Sequence, residues 1–379
     1  MKVLFLEPFF GGSHQDFATG FAARSCHDVT LVTLPPSFWK WRMRGAALAF
    51  LQNIKDMTAY DLVFATDMMN VADFLALAGP CRPPLVLYFH ENQLSYPLSP
   101  RDRKTAPDVN LGVINITSAL AADQVLFNSA FHLNAFAKHA RRLIKQMPDP
   151  RPSGMVNRIL EKTRVMYPGC RFPADPVSVT PGLLDPSPSD PPLIIWNHRW
   201  EYDKQPEVFF RVLGRLRDKG VPFSLAVMGE RYDRYPEEFD RAKHLFADQI
   251  KVFGYVPSRS AYHAWLARGT VVVSTAIQEN FGISVVEAVR FGCFPLLPQR
   301  LSYPEIMPKS FHPDILYRTE TQLLEKLAYH LLHPQAIQPV QKALCDHVQQ
   351  FSWEVLGPQY DSLLEHVQQK GINPAGSCM

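Results

Sequence analysis

Short apolar runs alternate with helical stretches along most of this chain, and that alternation limits its fold more than any other feature. Buried strands separated by helices predict parallel sheets that carry helices on both faces. With 379 residues, the chain is too long for one ordinary open sheet. The runs are Val3–Phe9, Val29–Leu34, Leu62–Thr66, Leu85–His90, Val125–Asn128, Val165–Tyr167, Leu193–Asn197, Phe223–Met228, Lys251–Phe253, Val271–Thr275 and Phe294–Leu297.

A proline-rich segment, residues 174–192, interrupts this series and reads as a linker. We therefore expect an α/β protein with two doubly wound domains, one at residues 1–173 and one at residues 193–353, followed by a terminal segment at 354–379. Ligands in such folds bind beyond the carboxyl ends of the strands. Two domains that face each other would form a cleft there.

Composition excludes several classes of protein. No apolar run is long enough to span a bilayer, and the first residues lack a secretory signal, so a cytoplasmic location is expected. The six cysteines form no C-x-x-C pair, and the 13 histidines are scattered along the sequence. We therefore expect no metal site.

Positive charge is concentrated in the first half of the chain. Residues 136–171 contain nine Lys or Arg and two acidic residues, although the whole chain carries only +3. This indicates a polyanionic partner, with a solvated charged face as the alternative. The segment Trp39–Arg44 alternates aromatic and basic side chains. It suits stacking on bases beside phosphates, but a membrane-surface patch or a packed Trp pair would share this composition.

Two polar segments follow strands of the first domain. Gly11 and Gly12 allow a tight turn, and Ser13 with Asp16 resembles a capping box that opens a helix. His90, with Glu91 and Asn92, follows another strand. A plain turn and a buried histidine in a capped loop are the alternatives. The glycine loop is not G-x-G-x-x-G, which argues against a nicotinamide site.

A pair of cations follows the first strand of the second domain. Arg199 and Lys204 precede a helix that begins near Pro206. Two cations beside a helix start can neutralise the charge that develops on a diphosphate leaving group, without a divalent metal. A surface salt-bridge cluster with Glu201 and Asp203 is the alternative.

Two glutamates lie near the start of a later helix. Glu279, in the loop Glu279-Asn280-Phe281-Gly282, could bind sugar hydroxyls, and Glu287 could accept both ribose hydroxyls. The N–H groups of Gly282 and Ile283 can point at phosphate. The glutamates could instead serve only to stabilise the helix through its dipole. Gly229 and Gly254-Tyr255-Val256 are further strand-end turns that face the same cleft, and we assign the nucleoside base to the second of them, at Tyr255 and Val256.

Together these residues resemble the retaining glycosyltransferases of the GT-B fold. Glu279 and Glu287 match the family's E-x7-E motif, Arg199 and Lys204 match its R-x4-K phosphate clamp, and Gly11, Gly12 and His90 match its glycine loop and strand-end histidine. The resemblance implies two Rossmann-like domains facing a cleft. It also implies that a helix in 354–379 returns to the first domain.

Several separate blocks are similar to the tRNA-queuosine mannosyltransferases. They are Glu7–His14, Trp39–Arg42, Tyr88–Leu94, Phe127–Ser129 and His198–Glu201. The resemblance implies GDP-mannose as donor, the cyclopentene diol of queuosine in a tRNA anticodon as acceptor, and retention at the sugar. It further implies that Glu279 and His90 orient the mannose. It implies no cofactor and no metal.

Two alternatives stay open from the sequence. The same chemistry could act on a lipid or a small glycan. A nucleotide-binding protein without catalysis would keep the phosphate clamp, but it would have no need of Glu279.

Overall fold

The computed structural model describes residues 1–97, 108–173, 190–231 and 235–371. They form two compact units. Described residues of 1–171 together with 351–371 make the first unit, and those of 172–350 make the second. Most of the linker expected at 174–192 lies outside the described residues.

The first unit is built on a six-stranded parallel sheet in the order β2-β1-β3-β4-β5-β6. The central strands are buried on both faces, as the continuous apolar runs predict. The strands are β1 (Lys2–Glu7), β2 (Asp28–Thr33), β3 (Leu62–Thr66), β4 (Leu85–Phe89), β5 (Gln124–Phe127) and β6 (Thr163–Val165).

Helices cover both faces of this sheet. One face packs on α1 and α15 through Phe5, Phe64 and Tyr88, and the other face packs on α2 to α6 through Leu4, Val63 and their neighbours. The helices are α1 (Gly12–Arg24), α2 (Trp39–Asn53), α3 (Val71–Ala78), α4 (Val109–Ala121), α5 (Ala130–Gln146), α6 (Met155–Glu161) and α15 (Trp353–Gly371).

The second unit repeats the plan with six parallel strands in the order β12-β11-β10-β7-β8-β9. Its strands are β7 (Leu193–Trp196), β8 (Ser224–Met228), β9 (Ile250–Gly254), β10 (Val271–Val273), β11 (Phe294–Pro298) and β12 (Leu316–Tyr317). Its helices are α7 (Pro206–Asp218), α8 (Glu238–Leu245), α9 (Arg259–Ala267), α10 (Ile283–Arg290), α11 (Tyr303–Ile306), α12 (His312–Ile315), α13 (Glu320–Leu332) and α14 (Gln338–Val348).

The structure corrects several local expectations. The capping box at Ser13 is wrong, because α1 begins at Gly12 and its N-cap is Gly11, which has no side chain to offer. Strand β12 was missed because it has only two residues. Several strands stop before the polar residue that was placed inside them. No helix in the described residues is long and apolar enough to cross a membrane.

Candidate active site

The predicted site residues of each unit follow the carboxyl ends of parallel strands, so they collect along one edge of their own sheet. In the second unit they follow the neighbouring strands β9, β8, β7 and β10. In the first unit they follow β1 and β4, which lie on either side of β3. Each edge therefore brings together residues that are far apart in sequence.

Lys204 is the centre of the second unit's edge. Its side chain is buried, and its ammonium lies 2.7 Å from the Gln278 carbonyl, 3.3 Å from Glu279 Oε2 and 3.1 Å from Asp203 Oδ2. An ammonium has three N–H groups. These contacts with three oxygens join the loop after β7 to the loop after β10. The sequence could not reveal this connection, because the two motifs are separate along the chain.

The charge of Lys204 is maintained despite its burial. Burial by itself lowers the pKa of this amine, but the carboxylates of Glu279 and Asp203 outweigh that effect and raise it. Arg199 lies on the same loop, about half exposed, with its guanidinium 3.4 Å from Glu201. Lys204 is therefore a fixed, buried cation at this edge, and Arg199 is an accessible one.

The loop after β10 turns into α10 at Gly282. Gly282 has a φ of 104°, and a Cβ on it would lie 3.2 Å from the Tyr303 ring. Asn280 and Phe281 are buried, and the Phe281 carbonyl accepts a hydrogen bond from Ser302 (2.8 Å). This loop is thus fixed, and Ile283 is the first residue of the helix.

Glu287 lies in the second turn of α10. Its Oε2 accepts a hydrogen bond from the Tyr262 hydroxyl (3.2 Å), and its Oε1 is 3.6 Å from the Arg259 guanidinium. Burial, followed by the nearby Glu287, raises the pKa of Tyr262 well above its usual value, so the phenol stays a donor. Sequence reasoning missed Tyr262, which lies on α9 and carries no motif.

The predicted base site contains one glycine with a structural explanation. A Cβ on Gly229 would come within 1.9 Å of the His198 carbonyl, so close approach of the β7 and β8 loops requires a glycine here. Tyr255 is exposed and Val256 is partly buried, just beyond Gly254 at the end of the edge strand β9. Tyr255 therefore offers an accessible ring on the same edge as Glu287.

In the first unit, a buried carboxylate organises the corresponding edge. Glu7 is fully buried at the end of β1 and accepts hydrogen bonds from His14 Nδ1 (3.2 Å), the Phe9 N–H (2.9 Å) and the Thr66 hydroxyl (3.0 Å). Burial alone would lower the pKa of His14, but Glu7 and nearby carboxylates raise it to about 9. The imidazole is therefore a cation at neutral pH.

His90 is held on three sides. Its backbone N–H donates to Asp67 Oδ1 (2.7 Å), and its backbone carbonyl accepts from Asn128 Nδ2 (2.8 Å). Its imidazole ring lies 4.1 Å from the His14 ring, measured between centroids. Burial, with His14 and His132 nearby, lowers the pKa of His90 well below its usual value. A neutral imidazole thus lies against a cationic one at the carboxyl edge.

Side chains that could ligate a metal are scattered along the sequence, but some of them lie close together in the structure. Within the described residues, ligand atoms of Glu7, His14 and His90 lie within 4.8 Å of one another, and those of Cys26, His27 and Glu365 do as well. Metal coordination needs a neutral imidazole. The proton that Glu7 stabilises on His14 opposes a metal ion at the first of these clusters.

The glycine loop is shaped by packing as well as by its turn. A Cβ on Gly11 would lie 2.6 Å from Pro36, and Gly12 has a φ of 52°. The Trp39–Arg44 segment is the beginning of α2, and Trp39 packs in an apolar cluster with Met43, Met68, Leu111 and Phe9. Only part of the aromatic and basic alternation therefore faces solvent.

The basic residues of 136–171 divide into two groups. Lys162 donates to the carbonyls of Leu120 and Ala122, and Arg171 pairs with Asp16 and Thr19, so both have structural roles. The others are exposed and remain available to a partner, and they are Lys138, Arg141, Arg142, Lys145, Arg151, Arg158 and Arg164.

Two family models match this chain. Residues 2–170 match the N-terminal domain of the tRNA-queuosine alpha-mannosyltransferases, and residues 185–315 match the glycosyl transferases of group 1. A curated relative, the tRNA-queuosine alpha-mannosyltransferase of Drosophila melanogaster, is 33% identical over 375 residues. The alignment covers 96% of this chain and 97% of the relative.

Solved structures show the same fold at low identity. HepE of Anabaena, solved in complex with UDP, has a TM-score of 0.64 at 16% identity and covers 97% of this chain and 100% of its own. Sucrose-phosphate synthase of Thermosynechococcus elongatus has a TM-score of 0.72 at 14% identity, with 98% and 100% covered. The expected GT-B fold is confirmed.

Proposed function

The chain belongs to the tRNA-queuosine alpha-mannosyltransferase family and is a hexosyltransferase, and we propose that it transfers mannose from GDP-mannose to the cyclopentene diol of queuosine at the wobble position of a tRNA anticodon, with retention of the α configuration. One observation carries the donor half of the proposal. The buried Lys204 ammonium contacts Glu279, and both lie on the sheet edge where α10 begins.

The diphosphate would bind to cations and to a helix start. Arg199 is accessible, Lys204 is charged and fixed, and the N–H groups of Gly282 and Ile283 lie at the N-terminus of α10. These groups can neutralise a leaving diphosphate without a divalent metal. We therefore propose that transfer needs no metal or other cofactor.

The nucleoside and the sugar would use the remaining residues of this edge. A carboxylate has about four acceptor positions, so Glu287 can bind ribose hydroxyls while it keeps its Tyr262 bond. Tyr255 and Val256, with Gly229, would hold the base. The base would then lie between Asn280–Phe281 and the end of β9. Glu279 would bind mannose hydroxyls. In the first unit, we propose that Gly11 and Gly12 form the loop beside the substrates and that His90 orients the mannose.

Retention would follow from attack on the same face that the leaving group departs from. The acceptor hydroxyl forms the new bond to the anomeric carbon as the bond to the diphosphate oxygen breaks. That leaving oxygen takes the hydroxyl proton, so the scheme assigns no protein side chain as base.

The tRNA would contact the first unit. The support is the basic start of α2 at Trp39–Arg44 and the exposed cations among residues 138–171. Because the acceptor is a cellular tRNA, we place the activity in the cytoplasm.

The test is direct. The protein is incubated with GDP-mannose and queuosine-containing tRNA, the tRNA is digested, and nucleosides are analysed by mass spectrometry for a hexose increment on queuosine. The same tRNA with guanosine at the wobble position is the acceptor control. Hexose transfer to a lipid or glycan, with none to queuosine, would refute the acceptor assignment.

Substitution of Arg199 tests the clamp. Arg199→Ala should lower kcat by about 10²- to 10³-fold, since it removes charge from the leaving group. Arg211→Ala is a matched control, because the Arg211 side chain is 53% exposed, against 44% for Arg199, and is paired with Glu320 on α13. Near-normal turnover in Arg199→Ala would contradict the clamp.

A further inference from the structure

Two aromatic side chains at the start of α2 face solvent. Phe38 is 76% exposed and Trp41 is 73% exposed, the highest values for large apolar residues in the described chain. Trp39 and Met43, on the same turns, pack inward instead. A folding role explains the inward pair, but burial explains neither Phe38 nor Trp41.

The backbone holds this aromatic pair in an unusual conformation. Phe38 has φ 53° and ψ 47°, a left-handed conformation that a bulky residue seldom adopts. The Trp41 and Arg42 N–H groups both donate to the Phe38 carbonyl, at 2.7 and 3.1 Å. The Arg42 guanidinium also binds the Pro35 carbonyl (3.2 Å), which secures the approach to the helix. Strain of this kind persists where surrounding contacts enforce it, often at functional sites.

Charge around the pair favours one kind of partner. Lys40, Arg42 and Arg44 stand beside it, and no acidic residue occurs in the sequence between Asp28 and Asp56. Lys40 and Arg44 are exposed, and Arg44 pairs with Asp108 at 2.5 Å. Exposed flat rings interleaved with cations complement a nucleic acid, whose bases stack and whose phosphates are anionic.

The pair also lies near the proposed acceptor side. Trp39, between Phe38 and Lys40, shares its cluster with Phe9 and Met68. Phe9 follows β1 and contacts the His14 ring, with 5.9 Å between centroids, and Met68 follows Asp67 at the end of β3. The start of α2 is thereby fixed to the carboxyl edge that carries His14 and His90.

From these contacts we propose that Phe38 and Trp41 form a stacking platform for unpaired bases of an RNA loop, with Lys40 on an adjacent phosphate and Arg44 on another, in exchange for its Asp108 partner. The inference rests on the proposed function, and it specifies how a modified base in an anticodon loop is recognised through the unpaired bases beside it. A paired stem would offer phosphates but no free base faces, so the platform distinguishes loop from duplex.

The experiment compares two RNAs and three variants. The RNAs are an anticodon stem–loop that carries queuosine and a fully paired duplex of equal length. The variants are Trp41→Ala, Phe38→Asn, which tolerates the left-handed backbone, and Leu48→Ala. Leu48 is the matched control, since it is 63% exposed on the same helix but is aliphatic. Thermal unfolding followed by circular dichroism reports that the first unit, which carries all three positions, is folded in each variant.

Phe38→Asn and Trp41→Ala should each weaken stem–loop binding by roughly 5- to 100-fold, the range for loss of one base stack, and lower mannose transfer to tRNA at limiting RNA. Duplex affinity should be unchanged in both, and Leu48→Ala should resemble the wild type. Equal loss on loop and duplex, or no loss on the loop, overturns the inference.

If the patch binds a membrane surface instead of RNA, the same variants should give a different result. If binding to phosphatidylserine vesicles depends on Phe38, Trp41 and Leu48 alike while RNA affinity does not, the patch is a lipid contact and the inference is wrong. If wild-type protein transfers no mannose to queuosine tRNA, the proposed function fails. Loss of loop binding in the two aromatic variants would still support the platform in that case.

Discussion

At the scale of single residues, the Lys204 ammonium donates hydrogen bonds to the Gln278 carbonyl and to Glu279, and Asp203 Oδ2 lies 3.1 Å away. A diphosphate that bound this ammonium would compete with these oxygens. The Gln278 carbonyl belongs to the backbone, and Asp203 is fully buried, so Glu279, whose side chain is 19% exposed, is the partner that can leave. If the proposed diphosphate site is right, we expect Glu279 to be released when phosphate binds, which would free its carboxylate for the sugar.

This exchange predicts opposite effects for the two motif glutamates. Glu279→Gln should lower kcat but tighten GDP binding by about 2- to 10-fold, because Lys204 loses a competing carboxylate. Glu287→Gln should weaken GDP binding by about tenfold through the ribose. Calorimetric titration with GDP measures both. If both variants bind GDP more weakly, Lys204 and Glu279 do not exchange partners.

The His14 and Asp67 pair predicts a pH dependence of stability. Glu7 and the nearby Asp67 and Glu91 raise the pKa of His14 to about 9, against an ordinary value of 6.5, while burial raises the pKa of Asp67 to about 8. Both groups bind more protons folded than unfolded near neutral pH. The stabilisation from His14 is complete below pH 6.5 and disappears as the pH rises through about 9. The penalty from Asp67 grows up to about pH 8.

Chemical denaturation between pH 6 and pH 9.5 measures this dependence. The free energy of unfolding should fall across the interval in the wild type, by about 3 kcal/mol at most for His14. His14→Asn, which keeps a donor toward Glu7 but does not titrate, should show a flatter profile. His312, a residue of α12 in the second unit, provides the control substitution. Identical slopes in wild type and His14→Asn would contradict the assignment.

The candidate residues of the two units differ in how far sequence could predict them. Arg199, Lys204, Glu279 and Glu287 are found from spacing, since each pair is local in sequence. The Glu7 network is not, because its Thr66 partner lies 59 positions away. Sequence also does not show that the Lys162 ammonium donates to helix-end carbonyls, because in the sequence this lysine cannot be distinguished from the basic residues near it.

At the scale of elements, the apolar runs predicted the parallel strands best at the centre of each sheet, where strands such as β3, β4 and β8 are buried on both faces. It could not fix their ends, since a polar residue such as His90 or Asn197 can close a strand or follow it. The strip Trp39–Arg44 has aromatic residues at a spacing of two, yet it forms a helix. Tertiary packing selects the helical spacing instead, which puts Trp39, Met43 and Ala46–Ala47 on the inward-facing side of α2.

The start of α10 supplies a prediction about its glycine. Gly282→Ala should cost about 1–2 kcal/mol of stability, because φ is 104°, and should weaken GDP binding by shifting the N–H groups at the helix start. Gly292→Ala is a matched control, since Gly292 has a φ of 93° just beyond the other end of α10. It should lose comparable stability with GDP affinity unchanged. If both variants bind GDP with equal affinity, the N-terminus of α10 does not bind the diphosphate.

At the scale of the whole molecule, the first unit is discontinuous in sequence. Trp353 and Tyr360 of α15 pack among Phe17, Phe21 and Tyr88. Gly20 and Gly169 leave the space that Trp353 fills, since a Cβ on either would lie about 2 Å from its indole. Asp361 binds Ser25 Oγ (2.6 Å) and the Cys26 N–H (2.9 Å). The described residues of the second unit, by contrast, all lie between positions 172 and 350.

Fragments should therefore behave differently. A fragment of residues 172–350 should unfold cooperatively and bind GDP with nearly the affinity of the whole chain. A fragment of residues 1–171 should expose the aromatic face that α15 covers and aggregate, and a peptide of residues 351–371 added in trans should restore it. Circular dichroism and sedimentation measure both. A stable, monomeric 1–171 fragment would show that α15 is an accessory.

The position of α15 also orders events during synthesis. The second unit can complete its core while translation continues, whereas the first unit, which carries His90 and the proposed RNA platform, stays open until α15 has emerged from the ribosome. If the second unit binds GDP as proposed, a nascent chain could hold nucleotide before it can hold tRNA. Acceptor competence would then be acquired only after α15 has been synthesised.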